Sequence, residues 1–141
     1  MPKLNAALIE RNAAIIAQAN PLYEQINQNW EKVEAFLKAR GVLAPVSYWY
    51  DTDEHGQEFA IGIHKMSGKW RVCAGYSHHS DHNEEETWTP ITDVGIELRV
   101  ALLEQIPALF GKLVESNENA VKALEAAAKK SSETLKALGI S

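Results

Sequence analysis

Residues 57–79 constrain the fold most, because apolar and polar side chains alternate there in two runs separated by Met66-Ser67-Gly68. Alternation with a period of two predicts β-strands, and the short break that contains glycine predicts a tight turn between them. The two runs therefore predict a β-hairpin with strands over 58–65 and 69–78. The expected register places Cys73 near Gly62 and Arg71 near His64.

Two further strands are predicted beside the hairpin. Residues 46–50 are rich in β-branched and aromatic side chains and follow a proline, which predicts a first strand. Residues 86–89 predict a short fourth strand, with Trp88 directed toward the helices. One face of the hairpin carries the large apolar side chains that we expect to pack on the helices: Phe59, Ile61, Ile63, Trp70, Val72, Ala74 and Tyr76.

The opposite face of the hairpin is thin, because it carries Gly62 and Gly75. A thin face is either partly solvated or covered by another part of the molecule. We expect any ligand or partner to bind on this side. The residues predicted to contact it are His64, Arg71, Cys73 and Trp49.

The N-terminal segment predicts an amphipathic helix over about residues 3–40, since its apolar residues follow steps of three or four. Leu4, Ile15, Ile26 and Leu37 recur every eleven residues, so the apolar stripe stays on one side of a straight helix. Asn20-Pro21 has the form of a helix start. The prediction is either one helix kinked at Pro21 or two nearly collinear helices, with the end at Gly41.

The C-terminal segment carries a heptad pattern, which predicts a helix that packs against a partner helix. Pro107 predicts a kink or a new helix start, and 116–118 offer another cap that would split the segment. Polar residues at two pattern positions, Asn117 and Ser131, are of the kind that sets register. The pattern comprises Ile96, Val100, Leu103, Pro107, Phe110, Val114, Asn117, Val121, Leu124, Ala128, Ser131, Leu135 and Leu138.

The predicted fold is α+β, with a three- to four-stranded antiparallel β-meander inserted between two long N- and C-terminal helical arms. Residues 1–141 form a single domain made of a helical arm (1–41), the meander (45–90) and a second arm (92–139). We expect the arms to pack on each other and on one sheet face. An antiparallel pairing of the arms buries both apolar stripes, and a domain-swapped or side-by-side dimer satisfies the same stripes.

Composition narrows the classes of function. The net charge of the chain is −5, and residues 45–90 account for it with eight acidic and three basic side chains. An acidic sheet disfavours nucleic acid as a partner, because such binding depends on neutralising phosphates. There is no apolar run of transmembrane or secretory length, so we expect a cytoplasmic protein without a membrane partner.

The densest group of candidate ligands for a metal is His78, His79, Asp81 and His82. Imidazole and carboxylate groups bind Zn²⁺ and other first-row divalent metals. The spacing matches no established motif such as His-Glu-x-x-His, and a solvated polar loop explains the same residues. No catalytic residue and no bound cofactor is predicted, and a zinc or related metal remains the alternative.

The function expected from the sequence is that of a small binding or adaptor module rather than an enzyme. Self-association through the arms makes it a homo-oligomer, and the acidic, aromatic sheet contacts a protein partner. One alternative is a metal-binding protein or metal-dependent enzyme that uses the histidine-rich loop. Another is an acidic inhibitor or immunity-type protein that blocks a basic site.

Overall fold

The computed structural model describes residues 5–80 and 83–140, without the side chains of 79, 80, 83 and 84. Two long helices flank a four-stranded antiparallel sheet, which confirms the predicted α+β fold. Short 3₁₀ turns at Ile91–Asp93 and Leu103–Gln105 precede and follow the short helix Ile96–Leu102. The elements are α1 (Ala6–Ala39), β1 (Val46–Thr52), β2 (Gln57–Met66), β3 (Lys69–Ser80), β4 (Asn83–Pro90), α2 (Ile96–Leu102) and α3 (Ile106–Ala137).

The sheet is a meander in which each strand pairs with the next along the chain. Gly62 lies opposite Cys73 and His64 lies opposite Arg71, as the alternation predicted. Ser67 and Gly68 form the β2–β3 turn with φ of 51° and 80°. Two consecutive positive φ values match the right-handed twist of the strands, and this fixes the register of the hairpin.

Helix α1 runs without a break through Pro21, so of the two alternatives predicted there the single helix is observed and the second helix start is not. The Asn5 side chain caps the N-terminus by accepting a hydrogen bond from the Ala7 N–H at 2.9 Å. Gly41, with a φ of 95°, follows the last turn, and its N–H donates to the Lys38 carbonyl. This left-handed residue ends the helix where the sequence predicted.

Helix α3 begins at Ile106, which places Pro107 in its first turn, so the interruption at Pro107 is a helix start. The helix continues past residue 117, and the predicted split at 116–118 is wrong. Asn117 instead binds the loop that follows α1. Its Nδ2 donates to the Gly41 carbonyl and its Oδ1 accepts from the Leu43 N–H.

The core lies between the sheet and the parts of the helices nearest to it. Trp30 on α1 is fully buried, and its indole N–H donates to the Arg99 carbonyl at 3.1 Å. The other large core residues are Leu37, Val46, Ile61, Ile63, Val72, Ile91, Leu102, Leu109 and Leu113. They confirm the helix-facing positions predicted at Ile61, Ile63 and Val72, whereas Tyr76 of the same predicted face is 37 % exposed.

Residues of the N-terminal arm contact residues of the C-terminal arm in the same order along the chain. Asn27 binds the Arg99 side chain, the rings of Phe36 and Phe110 are 6.3 Å apart, and Gly41 binds Asn117. The arms therefore run parallel where they meet, and the predicted antiparallel pairing is wrong. Beyond the contact region, the first half of α1 and the second half of α3 extend from opposite ends.

Each of these extensions is solvent-exposed over almost its whole length. Every residue from 5 to 18 and from 121 to 140 is exposed. In the part of the chain that the structure covers, no helix has the length and apolar character to cross a membrane.

Candidate functional site

The thin side of the sheet, here called the outer face, is the candidate site, because partly exposed aromatic and polar groups converge on it. Strand register places Trp49, Ala60, Gly75 and Trp88 in one row across the four strands. The rings of Trp49 and Trp88 meet edge to face above the two small residues, with centroids 5.6 Å apart. The two tryptophans thus cover the middle of the outer face.

Trp88 lies on the outer face, and the prediction that it points toward the helices is wrong. Its ring rests in the hollow left by the two glycines. A Cβ atom added to Gly75 would stand 2.4 Å from Trp88 Cζ3, and one added to Gly62 would stand 2.8 Å from the same atom. Both glycines are needed for close approach of the indole.

His64 stacks on Trp88 with ring centroids 3.9 Å apart, and its Nε2 lies 3.1 Å from the Ser47 hydroxyl. One of these two groups donates the hydrogen bond and the other accepts it. Burial lowers the pKa of His64 below its ordinary value of 6.5, and the Glu86 carboxylate acts in the opposite sense. The imidazole is therefore held in its neutral form beside a hydroxyl.

Cys73 lies beneath the outer face rather than on it, since its side chain is fully buried. Its Sγ contacts the Arg71 carbonyl at 3.5 Å. Burial raises the pKa of the thiol to about 11. At neutral pH it is a protonated, apolar filler that supports the surface without contacting a ligand.

Arg71 turns away from the other predicted surface residues. Its Nε donates to Glu34 on α1 at 2.7 Å, and one terminal nitrogen donates to the Thr92 hydroxyl at 3.2 Å. Glu34 is 8 % exposed and the Arg71 side chain is 31 % exposed, so the carboxylate is largely withdrawn from solvent and the guanidinium only partly. Arg71 thereby connects the sheet to α1 instead of lining the outer face.

The predicted metal site lies mostly outside the described part of the chain. Asp81 and His82 are outside the described residues, and the side chain of His79 is not described. His78 is exposed on β3 opposite Glu85 of β4. Among the residues that the structure describes, no three histidine, cysteine or acidic side chains could hold a metal together. Zinc binding by the loop stays a prediction.

The sequence patterns do not indicate three contributions to the site. They give no role to Ser47, they predict the other face for Trp88, and they give Glu86 no contact with Trp88. The Trp88 indole N–H lies 3.3 Å from a Glu86 carboxylate oxygen, to which it donates. The two glycines on adjacent strands were the signal that a large ring fills the space above them.

The outer face presents aromatic rings and a carboxylate. Partly exposed indole edges beside the exposed Glu86 can hold a basic or apolar side chain by ring contact and charge. The Ser47–His64 hydrogen bond satisfies two partly buried polar groups, and the stacked Trp88 covers one face of the imidazole. Neither a protein-family model, nor a curated protein, nor a solved structure matches this chain.

Proposed function

We propose that this protein is a non-enzymatic binding module that self-associates through its helical arms and binds a protein partner on its acidic outer face. The observation that carries the proposal is the exposure of large apolar side chains on both arms. Leu8 is 58 % exposed, Leu22 60 % and Leu124 60 %. Apolar residues at regular helical spacing in solvent indicate an interaction surface.

The first half of α1 gives a second reason for a partner. A solvated helix of this length is marginal in water by itself, and this one contains Pro21, which costs about 3 kcal/mol in a helix interior. Asn12 and Asn20 also have low helix propensity. Tertiary packing is the usual source of the missing stability, and residues 8–16 are all exposed to solvent in the described part of the chain.

The acidic outer face supports the second part of the proposal. Glu86 is exposed on the same face as Trp88 and accepts a hydrogen bond from its indole N–H, and Trp49 lies within ring contact of Trp88. A basic segment of a partner could place a cation over an indole and near a carboxylate, which is worth roughly 0.5–1 kcal/mol per contact at exposed sites. The cytoplasm is the location we propose for this interaction.

Light scattering on the full chain at micromolar concentrations tests self-association. We expect a mass above that of one chain, and we expect Leu124→Glu to lower it by placing a charge in the apolar surface. Ala126→Glu is the matched control, because it adds the same charge to the same exposed half of α3 on the other side of the helix. A monomeric full chain would contradict the proposal.

A truncated chain is a poorer test than these substitutions. An end near Gly111 removes Leu113, which is 1 % exposed in the core, and Asn117, which binds the α1–β1 loop. Loss of assembly in such a chain would follow from loss of the fold.

A further inference from the structure

Helix α3 and the turns before it carry two apolar stripes that are offset by one residue. The first stripe, Leu102, Ile106, Leu109 and Leu113, packs into the core. The second, here called the seam, is the heptad pattern, whose members follow those of the first by one position. The apolar seam residues stay exposed beside the sheet and beyond it: Val100 48 %, Leu103 40 %, Phe110 37 %, Val114 44 %, Val121 44 %, Leu124 60 %, Leu135 45 % and Leu138 67 %.

We propose that the seam of α3 pairs in parallel with the same seam of a second copy of this chain, an inference that rests on the self-association proposed above. The heptad spacing is kept over four repeats from Phe110 to Leu138, which is the length expected of a coiled coil. The seam holds, in order, Phe110, Val114, Asn117, Val121, Leu124, Ala128, Ser131, Leu135 and Leu138. Val121 with Leu124 is the combination of a β-branched residue at the first seam position and a leucine at the second that favours two chains.

Part of the seam is covered within the chain, because Phe110 contacts Phe36 and the Asn117 side chain binds the loop that follows α1. The part beyond these contacts, from Val121 to Leu138, extends about 26 Å along the helix. The exposed apolar stripe of α1, from Leu8 to Tyr23, extends about 23 Å. The two lengths are similar, so α3 is favoured over α1 as the partner by the residues of the seam and of its flanks.

The position of α1 favours the parallel orientation. The exposed apolar residues of α1 occur as neighbouring pairs every seven residues: Leu8 with Ile9, Ile15 with Ile16, and Leu22 with Tyr23. A parallel α3 pair places both α1 extensions at the same end, where these pairs can meet. An antiparallel α3 pair sends the two extensions to opposite ends and leaves both uncovered.

Charge on the flanks of the seam favours the same orientation. One flank carries Glu118 and Glu125, whereas the other carries Ala120 and Ala127. Parallel chains bring the glutamate flank against the alanine flank of the partner. Antiparallel chains bring glutamate against glutamate, and like charges at such positions are unfavourable.

Single cysteine variants of the full chain test the orientation, since the native Cys73 is buried and does not compete. The variants Leu124→Cys and Leu138→Cys place a thiol at two positions along α3. Leu8→Cys and Leu22→Cys do the same along α1. Under mild oxidation we expect each variant to form a disulfide-linked dimer with its own counterpart. Glu133→Cys and Ala17→Cys, on the opposite sides of the same helices, are the controls and should stay largely unlinked.

Light scattering on the same samples separates the two proposals. A monomer overturns both self-association and the parallel seam. An oligomer in which only one of Leu124→Cys and Leu138→Cys links overturns the parallel seam alone. So does efficient linkage between Leu22→Cys and Leu124→Cys in a mixture, which would place α1 against α3 of the neighbour. A mass of three chains contradicts the two-chain arrangement.

Discussion

The Trp88 ring lies so close to Gly75 that no side chain fits between them, and a Cβ atom on Gly75 would stand 2.4 Å from Trp88 Cζ3. Three atoms of the indole fall within 3 Å of that position, so the ring as a whole would have to move. The contact joins the adjacent strands β3 and β4 on the thin side of the sheet. It gives the first prediction.

Gly75→Ala should destabilise the fold by about 1–3 kcal/mol, because the indole is displaced from its hollow. Urea unfolding monitored by tryptophan fluorescence measures this change. Gly111→Ala is the control, since a Cβ atom there meets nothing within 4 Å. On a helix that change should stabilise by about 0.5–1 kcal/mol. Equal costs for Gly75→Ala with and without Trp88→Leu would contradict the proposed clash.

The sequence predicted the β2–β3 hairpin well and β4 poorly, for a physical reason. In β2 and β3 large apolar side chains alternate with small or polar ones, so a shift of one residue would expose the core face. In β4 the residues Glu84–Thr87 are polar on both sides, and no alternation sets which face Trp88 takes. Trp88 lies on the outer face because its ring fits the hollow above Gly62 and Gly75. That hollow depends on tertiary packing.

The helical arms show a similar limit. Two stripes with the same four-three spacing lie one residue apart on α3, and either could face the sheet. The sequence shows the heptad pattern, but the stripe buried against the sheet lies one residue before it and contains Leu109 and Leu113. Parallel or antiparallel packing of the arms is likewise not encoded in a periodic stripe. It follows from particular contacts such as Phe36 with Phe110.

The state of His64 should make stability depend on pH. Burial lowers the pKa of His64 from 6.5, so the unfolded chain takes up the proton before the folded one does. The stability that this group contributes is complete above pH 6.5 and is lost as the pH falls from 6.5 through the lower pKa of the folded state. We expect urea midpoints to decrease in that window.

The His64→Gln variant should show a smaller decrease across the same window, whatever its overall stability. His55→Gln is the matched control, because it removes an exposed imidazole from the β1–β2 turn. Parallel pH profiles for the wild type and His64→Gln would show that His64 is not the group responsible.

The buried thiol of Cys73 should be inert in the native protein. Its side chain is fully buried and its pKa is raised to about 11, so little thiolate is present at pH 8. A colorimetric disulfide reagent should react slowly before unfolding and rapidly in denaturant. Trp88→Ala removes part of the cover and should speed the reaction, whereas Tyr23→Ala on the α1 extension should leave it unchanged. Fast reaction in the wild type would contradict the burial of this thiol.

The acidic outer face should bind a basic peptide in a salt-sensitive way. A short oligolysine peptide is expected to change the tryptophan fluorescence, and added salt should weaken this effect because exposed charges are screened. Trp49→Ala and Glu86→Gln should both reduce binding. Glu54→Gln, in the β1–β2 turn, removes an equal charge from another part of the sheet and serves as the control. Equal loss in Glu86→Gln and Glu54→Gln, with no loss in Trp49→Ala, would indicate attraction by net charge alone.

The Arg71–Glu34 pair should couple the sheet to α1 more strongly than a surface ion pair does. Glu34 is 8 % exposed and lies 2.7 Å from the Arg71 Nε atom, so removal of Arg71 leaves a poorly solvated carboxylate, although the Arg71 side chain itself is 31 % exposed. A double-mutant cycle with Glu34→Ala and Arg71→Ala should give a coupling energy of about 1–2 kcal/mol in urea unfolding. The exposed Lys112–Glu115 pair provides the comparison, with about 0–0.5 kcal/mol expected. If both cycles give the same small value, the contact between Arg71 and α1 contributes no more to the fold than a solvated pair.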